Sequence, residues 1–138
     1  MMLLDTNVVS ELRKATERQD AAVRRWAGEV PPEGWYISAV TLMELERGVR
    51  LLEQRDPRQG ARLRAWLEST LLTNFRRKIF PIDDKVARQA ARLAAQRPRQ
   101  TPDAMIAATA LVHGLTVITR NIGDFEDTGV SLLNPWEF

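Results

Sequence analysis

The chain has 138 residues, of which 44% are hydrophobic and 28% charged, and its formal net charge is +2. This length and composition indicate a single globular domain, residues 1–138, with an ordinary hydrophobic core. No apolar run is long enough to cross a bilayer, and no basic segment precedes the N-terminal apolar residues, so we expect a cytoplasmic protein without a membrane anchor.

The residue types limit the metals that the chain could bind. Cysteine is absent and histidine occurs once, which excludes disulfides, thiolate sites and histidine-rich zinc sites. Any metal must be held by oxygen, which favours Mg²⁺ or Mn²⁺. Of the 20 basic residues 3 are lysine and the rest are arginine. A guanidinium group can bind a phosphate through two parallel hydrogen bonds, so the excess of arginine is compatible with nucleic-acid binding. A codon bias towards arginine would explain the same count.

The first predicted element is a short buried strand, Met2–Leu4, which ends in Asp5, Thr6 and Asn7. A helix from Val8 to Arg13 follows at once. In an open α/β fold such a strand delivers its last side chains to the carboxyl edge of the sheet, where ligands bind. The alternative is that one of the three polar residues only caps the helix.

The rest of the chain alternates between strands and helices. Pro81 favours an edge position for the strand that contains it, and Asp84 and Thr101 are expected to cap the helices that they begin. Asp56-Pro57 separates two helices that should form an antiparallel hairpin. The pattern predicts an α/β fold with a parallel sheet covered on both faces. The later strands are predicted at Trp35–Ser38, Ile79–Ile82, Thr116–Thr119 and Val130–Leu133, and the helices at Asp20–Gly28, Thr41–Gln54, Arg58–Asn74, Asp84–Gln96 and Thr101–Gly114.

Four acids stand where a predicted strand ends or a helix begins. They are Asp5, Glu44 in the first turn of its helix, Asp103 and Asp124. Considered one at a time, each acid can be explained by local structure. Asp5 can cap a helix, Thr41 to Glu44 is a capping-box pattern, Asp103 complements a helix dipole, and Asp124 suits a turn. Together they would meet at one sheet edge and repel one another. A divalent cation would relieve that repulsion and could activate water for attack on a phosphoryl group.

Five stretches resemble the motifs of PIN domains, most closely the VapC/FitB type of toxin ribonuclease. They are Leu3–Leu12, Ser38–Leu45, Pro102–Ala110, Thr119–Phe125 and Leu132–Trp136, in the family's order and across essentially the whole chain. An isolated Asp-Thr-Asn is weak evidence, whereas matching motifs in this order are specific.

The resemblance implies a central five-stranded parallel sheet with a protruding helical hairpin. It also implies a metal-dependent endoribonuclease that uses Mg²⁺ or Mn²⁺ and acts as the toxin of a type II toxin–antitoxin pair. The partners would be RNA, a VapB-type antitoxin and a second copy of the chain, with DNA contacted only through the antitoxin. The matching catalytic and metal-binding residues are Asp5 and Asp103 as principal ligands, completed by Asp124 and Glu44, with Asn7, Thr119 and Asn121 as supporting polar groups.

Several other residues have both a functional and a structural interpretation. Arg120 and Arg47 are candidates for RNA binding, although either could belong to a solvated face. His113 is better explained by the last turn of its helix than as a general base. Trp66 is expected in the core or at a dimer contact. The same two interpretations apply to Arg50, Arg76, Arg77 and Lys78.

Two other function classes are compatible with this kind of fold. The first is a catalytically silent binding module that acts with an antitoxin in a DNA-bound repressor complex, but the presence of all four acids favours the enzyme. The second is a phosphotransfer domain with Asp5 as nucleophile. A dehalogenase-like phosphatase needs an aspartate at the position of Asn7, and a receiver domain needs paired acids before the strand that carries the nucleophile. The sequence has neither pattern, which disfavours a phosphotransfer domain.

Overall fold

The computed structural model describes all 138 residues as one five-stranded sheet with helices on both faces. All strand pairs are parallel, and the strand order is β3-β2-β1-β4-β5. The predicted α/β class, the parallel sheet and the edge position of the third strand are confirmed, although this strand ends before Pro81. The strands are β1 (Met2–Leu4), β2 (Trp35–Ser38), β3 (Ile79–Phe80), β4 (Thr116–Ile118) and β5 (Ser131–Leu133); the helices are α1 (Thr6–Arg13), α2 (Ala21–Glu29), α3 (Ala39–Arg55), α4 (Pro57–Trp66), α5 (Leu72–Asn74), α6 (Asp84–Gln96) and α7 (Thr101–His113).

The alternation of side chains along the central strands divides the core into two layers. Leu3 and Val117 face α6 and α7, whereas Leu4 and Ile118 face α1 to α4, and all four side chains are buried. Helix α7 is rich in small residues, most of which are buried, so it packs closely on its side of the sheet. This packing fixes the first turn of α7 at the carboxyl edge of the strands.

Helices α3 and α4 form the predicted antiparallel hairpin, which is held together by one arginine. The guanidinium group of Arg64 lies 2.8 Å from Glu46, 3.0 Å from Glu53 and 3.3 Å from Glu68. Gly60 of α4 packs directly against the backbone of Glu53 in α3, where a side chain has no room. The hairpin is therefore stabilised by the ion pairs of Arg64 and by the close contact between Gly60 and the backbone of Glu53.

Several predicted boundaries and caps are wrong in detail. The helix predicted over 58–74 contains a π-helical segment, Leu67–Leu71, between α4 and α5. Asp83, rather than Asp84, caps α6 by accepting a hydrogen bond from the Val86 amide. Helix α7 has Gln100 at its cap position, without a side-chain hydrogen bond, so Thr101 is its first helical residue. No helix has the length and apolar character needed to span a membrane.

Candidate active site

Asp5 lies directly after β1 at the centre of the carboxyl edge. Its Oδ1 accepts a hydrogen bond from the Thr6 amide at 2.7 Å, and its Oδ2 accepts one from the Thr119 hydroxyl at 2.7 Å. Asn7 Nδ2 lies 3.3 Å from the same Oδ2. Asp5 therefore caps α1, as one interpretation of the sequence predicted, and also joins polar groups from β4 at the sheet edge. With only 6% of its surface exposed, the carboxyl is firmly positioned.

Glu44 reaches this edge from α3, the helix that follows β2. Its Oε1 accepts a hydrogen bond from the Thr6 hydroxyl at 2.6 Å. Because α3 begins at Ala39, Glu44 lies in the second turn, and the predicted capping box with Thr41 does not form. Ser38 is the cap instead, by accepting a hydrogen bond from the Val40 amide. Glu44 is thus directed towards Thr6, the residue next to Asp5, and not towards its own helix end.

Asp103 and Asp124 line a common polar cavity of about 380 Å³. Asp103 is in the first turn of α7, and Asp124 is in a short 3-10 helix, Ile122–Phe125, that follows β4. The other residues that line this cavity belong to the segment between α6 and α7: Arg97, Pro98, Arg99 and Gln100. The cavity brings these two acids to the same place at the sheet edge.

Arg97 and Arg99 form the basic side of this cavity. Arg97 donates hydrogen bonds to Asp127 at 3.2 Å and to the Gly123 carbonyl at 3.3 Å, which joins the segment to the turn that holds Asp124. The three guanidinium nitrogens of Arg99 are buried without a hydrogen-bond partner. Their charge still acts on Asp103 through space.

The acids influence one another's protonation. Burial raises the pKa of Asp103 to about 6, assisted by the negative charges of Asp124, Asp5 and Glu44 and opposed by Arg99. Burial also raises the pKa of Asp5, with a smaller contribution from Glu44 and Asp124, although hydrogen bonds from Thr119 and Thr6 favour the charged form. The four predicted acids therefore share one electrostatic environment.

The donor set suits a hard cation, but it is not a closed cage. All candidate ligands are carboxylate oxygens, and their mutual repulsion favours a bound positive charge. No three acidic or histidine side chains lie close enough to hold an ion in their present positions. Mg²⁺ keeps several water ligands and often takes only one or two carboxylates, so the arrangement is compatible with that ion.

The supporting residues and other candidates occupy different places. Asn7 and Thr119 contact Asp5, whereas Asn121 reaches the cluster only through its backbone amide, which donates to the Thr119 hydroxyl at 3.0 Å. Arg120 is exposed beside Asn7, and Arg47 is exposed on α3.

His113 lies away from the acids, whereas Trp66 lines a cavity that also contains Thr6 and Glu44. His113 is ten residues along α7 from Asp103, about 15 Å at the usual helical rise, and it stacks on Phe80 with ring centroids 4.0 Å apart. It is therefore too distant to act as a base beside Asp103. Trp66 is partly buried against the core layer of α1 to α4, as one interpretation predicted.

Sequence reasoning missed two residues of the site. Thr6 was considered only as a helix cap, yet its hydroxyl holds Glu44. Its position next to Asp5 was the available signal. Arg99 lies in a proline-bearing segment with no regular structure, where no periodic pattern indicates that a side chain turns inward.

The raised pKa of Asp103 predicts that acid stabilises the metal-free fold at this position. Its pKa is about 6 when folded, against an ordinary 3.8, so the folded state binds the proton more tightly than the unfolded chain. This stabilisation is complete below the ordinary value and is lost as the pH rises through about 6. We expect a contribution of about 1–2 kcal/mol, reduced by partial solvent screening. Urea unfolding in EDTA across this range measures it.

Asp103→Asn is the matched control for this pH dependence, since it removes the titration and keeps the shape. Hydrogen bonds lower the pKa of Glu11 through Lys14, and those of Glu46 and Glu53 through Arg64, which opposes the trend in both proteins. The difference in unfolding free energy between wild type and variant isolates Asp103. A difference that does not change with pH would contradict the shared environment.

Comparison with known proteins identifies the family of this chain. The PIN domain model matches residues 2–130. The VapC ribonuclease Y4jK of Sinorhizobium fredii and the toxin FitB of Neisseria gonorrhoeae are each 37% identical to the chain, over 99% of both lengths. The crystal structure of FitAcB from Neisseria gonorrhoeae superposes with a TM-score of 0.88 at 36% identity, covering 100% of both chains. The chain therefore belongs to the PIN-domain family, in the branch that contains the VapC and FitB proteins.

Proposed function

We propose that the chain is a metal-dependent endoribonuclease and the toxin of a type II toxin–antitoxin pair. The observation that carries this proposal is the shared environment of Asp5, Glu44, Asp103 and Asp124, in which burial and mutual repulsion raise the pKa of two of the four. An arrangement of this kind is unfavourable for the isolated fold and favourable for binding a cation, which can in turn attract a phosphate. Relatives that are named VapC ribonuclease and toxin FitB support the same assignment.

Asp5 and Asp103 are the residues that would hold Mg²⁺ or Mn²⁺, with Asp124 and Glu44 completing the site. A bound ion of this kind supplies Lewis acidity to a phosphoryl oxygen and lowers the pKa of water. Hydrogen bonds from the Thr119 hydroxyl and the Thr6 amide occupy both oxygens of Asp5 and fix its orientation. Groups that orient a ligand in this way commonly increase metal affinity.

The chain's own groups also prepare a site for the attacking water. The Thr6 hydroxyl donates to Oε1 of Glu44, which leaves Oε2 without a donor from the protein. That oxygen can accept a proton from a water molecule, and Glu44 is therefore the group that we assign to orienting the water. Thr6 acts only by positioning Glu44.

The antitoxin is the partner that this proposal requires. A toxin–antitoxin complex from Klebsiella pneumoniae contains a chain that resembles this one, with a TM-score of 0.70 at 28% identity. We propose that a small antitoxin inserts an arginine among the four acids, since a guanidinium group pairs with carboxylates in fork geometry. A homodimer of the toxin and DNA contact through the antitoxin alone are further parts of the proposal.

Cleavage of a mixed RNA pool in Mg²⁺ and in EDTA tests this function. We expect internal cuts in Mg²⁺ or Mn²⁺, none in EDTA, and products with a 5′-phosphate because water is the nucleophile. Equal cleavage in EDTA, or a 2′,3′-cyclic phosphate product, would contradict the mechanism. Intact RNA in Mg²⁺ together with a stable antitoxin complex would indicate the catalytically silent binding module.

A further inference from the structure

Arg120 and Trp136 form a fixed pair at the carboxyl edge of the sheet. Arg120 follows β4 and Thr119 and is exposed, whereas Trp136 lies in the short 3-10 helix after β5 and is partly buried against the core. The guanidinium carbon of Arg120 lies 5.1 Å from the centre of the Trp136 ring. This distance is within the range of a cation–π contact, so the ring holds the arginine head in place.

A chain of hydrogen bonds connects this pair to Asp5. Asn7 Nδ2 lies 3.3 Å from Asp5 Oδ2, and Asn7 Oδ1 accepts from the Arg120 amide at 3.2 Å. Asn134 Nδ2 lies 3.5 Å from the Arg120 carbonyl oxygen, and Asn134 Oδ1 accepts from the Trp136 amide at 2.9 Å. The position of the Arg120–Trp136 pair relative to Asp5 is therefore determined by the side chains of Asn7, which belongs to the site, and Asn134.

The side chain of Arg120 keeps its hydrogen-bonding capacity free. It makes no hydrogen bond or ion pair with another group of the chain, in contrast to Arg64, which is bound to three glutamates. A guanidinium group has five N–H donors, and stacking on a ring leaves its edge available. An oriented arginine edge beside an acidic cluster is suited to a phosphate, which it can bind through two parallel hydrogen bonds.

The strand order places the pair beside the acids and not among them. Asp5 follows β1, Arg120 follows the neighbouring β4, and Trp136 follows the edge strand β5. Adjacent strands are about 4.8 Å apart, so the ring is about two strand spacings from Asp5. The pair therefore lies on the β4–β5 side of Asp5, next to the acids.

We propose that Arg120, held on Trp136, binds a phosphodiester group of single-stranded RNA next to the one that is cleaved. This inference rests on the proposed nuclease function and adds to it a flanking phosphate site. A single strand fits because its phosphates can follow the sheet edge, and its unpaired bases can stack on a guanidinium plane. Arg120 is a substrate-binding residue, and Trp136 is a positioning residue that acts through it.

The test compares cleavage kinetics and RNA binding for Arg120→Ala, Trp136→Phe and the double variant on a short single-stranded oligonucleotide. A lost charged phosphate contact should raise KM about tenfold in Arg120→Ala, with a smaller fall in kcat. RNA binding is measured in proteins that also carry Asp103→Asn, so that the RNA is not cleaved. In these proteins, the slope of the logarithm of the binding constant against the logarithm of salt concentration should be smaller by about 0.7 when Arg120 is replaced by alanine. Trp136→Phe keeps an aromatic side chain in the core and should raise KM less, and the double variant should match Arg120→Ala alone.

Arg88→Ala is the matched control, because Arg88 is an exposed arginine on α6 that does not line the cavity of Asp103 and Asp124. It should leave KM and the salt slope unchanged. If wild type cleaves RNA but Arg120→Ala retains its KM and salt slope, the flanking phosphate site is wrong and the nuclease function stands. If wild type neither binds nor cleaves any RNA, both are wrong. If the effects of Arg120→Ala and Trp136→Phe on KM were additive in the double variant, Trp136 would not act through Arg120.

Discussion

Asp5→Asn is expected to lower Mg²⁺-dependent RNA cleavage by more than about a hundredfold, because the loss of residues that only support a metal ligand already costs 10- to 100-fold. The same variant should be as stable as wild type in EDTA, or more stable, since burial and neighbouring charges disfavour the Asp5 carboxylate. Saturating Mg²⁺ should stabilise wild type by about 2.7 kcal/mol at a hundred times the dissociation constant. The variant should lose most of that gain in thermal melts.

Asp56→Asn provides the matched control for this experiment. Asp56 caps α4 by accepting a hydrogen bond from the Gln59 amide, at the end of the hairpin that points away from the strands. An asparagine keeps that cap, so both cleavage and the response to Mg²⁺ should remain. If wild type itself showed no Mg²⁺-dependent shift, or if Asp5→Asn kept the full shift, Asp5 would not be a metal ligand.

Gly60→Ala is expected to destabilise the fold by about 1–3 kcal/mol, the usual effect of forcing extra atoms into a packed interface. A Cβ atom at this position would lie 2.5 Å from the Cα and 2.7 Å from the backbone nitrogen of Glu53. Backbone atoms cannot rotate away, so α4 must separate from α3. The separation would also weaken the ion pair between Arg64 and Glu53. Urea unfolding followed by circular dichroism measures the loss.

Gly48→Ala tests the same substitution in open space on α3, where no heavy atom lies within 4 Å of the new Cβ. Alanine is the better helix former, so this variant should gain about 0.5–1 kcal/mol. Opposite signs for the two substitutions are the expected result. A Gly60→Ala protein as stable as wild type would show that the hairpin can open without loss.

The strands were predictable because each is a short apolar run between breaking residues. Met2–Leu4 and Trp35–Ser38 have the predicted bounds, and the alternation with helices required parallel pairing. The hairpin was also predictable, because Asp56-Pro57 ends one helix and begins the next. Local signals determine these features, so one sequence was enough.

The predictions that were wrong concern a helix cap and a helix interior, where the local sequence allows more than one conformation. Asp83 and Asp84 are both acceptable caps, and only the packing of Val86 into the core decides which one precedes the helix. Leu67 and Leu71 are both in the core and four positions apart, a spacing that an ordinary helix also places on one face, so the sequence pattern does not indicate the π-helical turn. Such choices depend on three-dimensional contacts.

Within the site, the four acids could be selected from their places at strand and helix ends, but their contacts could not. The Thr6 hydroxyl and Glu44 are 38 positions apart in the chain, and nothing in either motif specifies that they meet. Arg99 is similar, since its charge acts on Asp103 without a direct ion pair. The roles of the acids in metal binding and catalysis stay predictions until the variants are measured.

The strand order also has a consequence for the order of events during synthesis. Strand β1 leaves the ribosome before the other four strands, yet it is the middle strand of the sheet, and its neighbour β4 is separated from it by more than 110 residues. The hydroxyl group that fixes Asp5 belongs to Thr119, 114 positions later. Contacts this distant in sequence form slowly and late. A nascent chain therefore carries Asp5 long before Thr119 has been translated, so the acid cluster cannot assemble until β4 and the residues that follow it have been made.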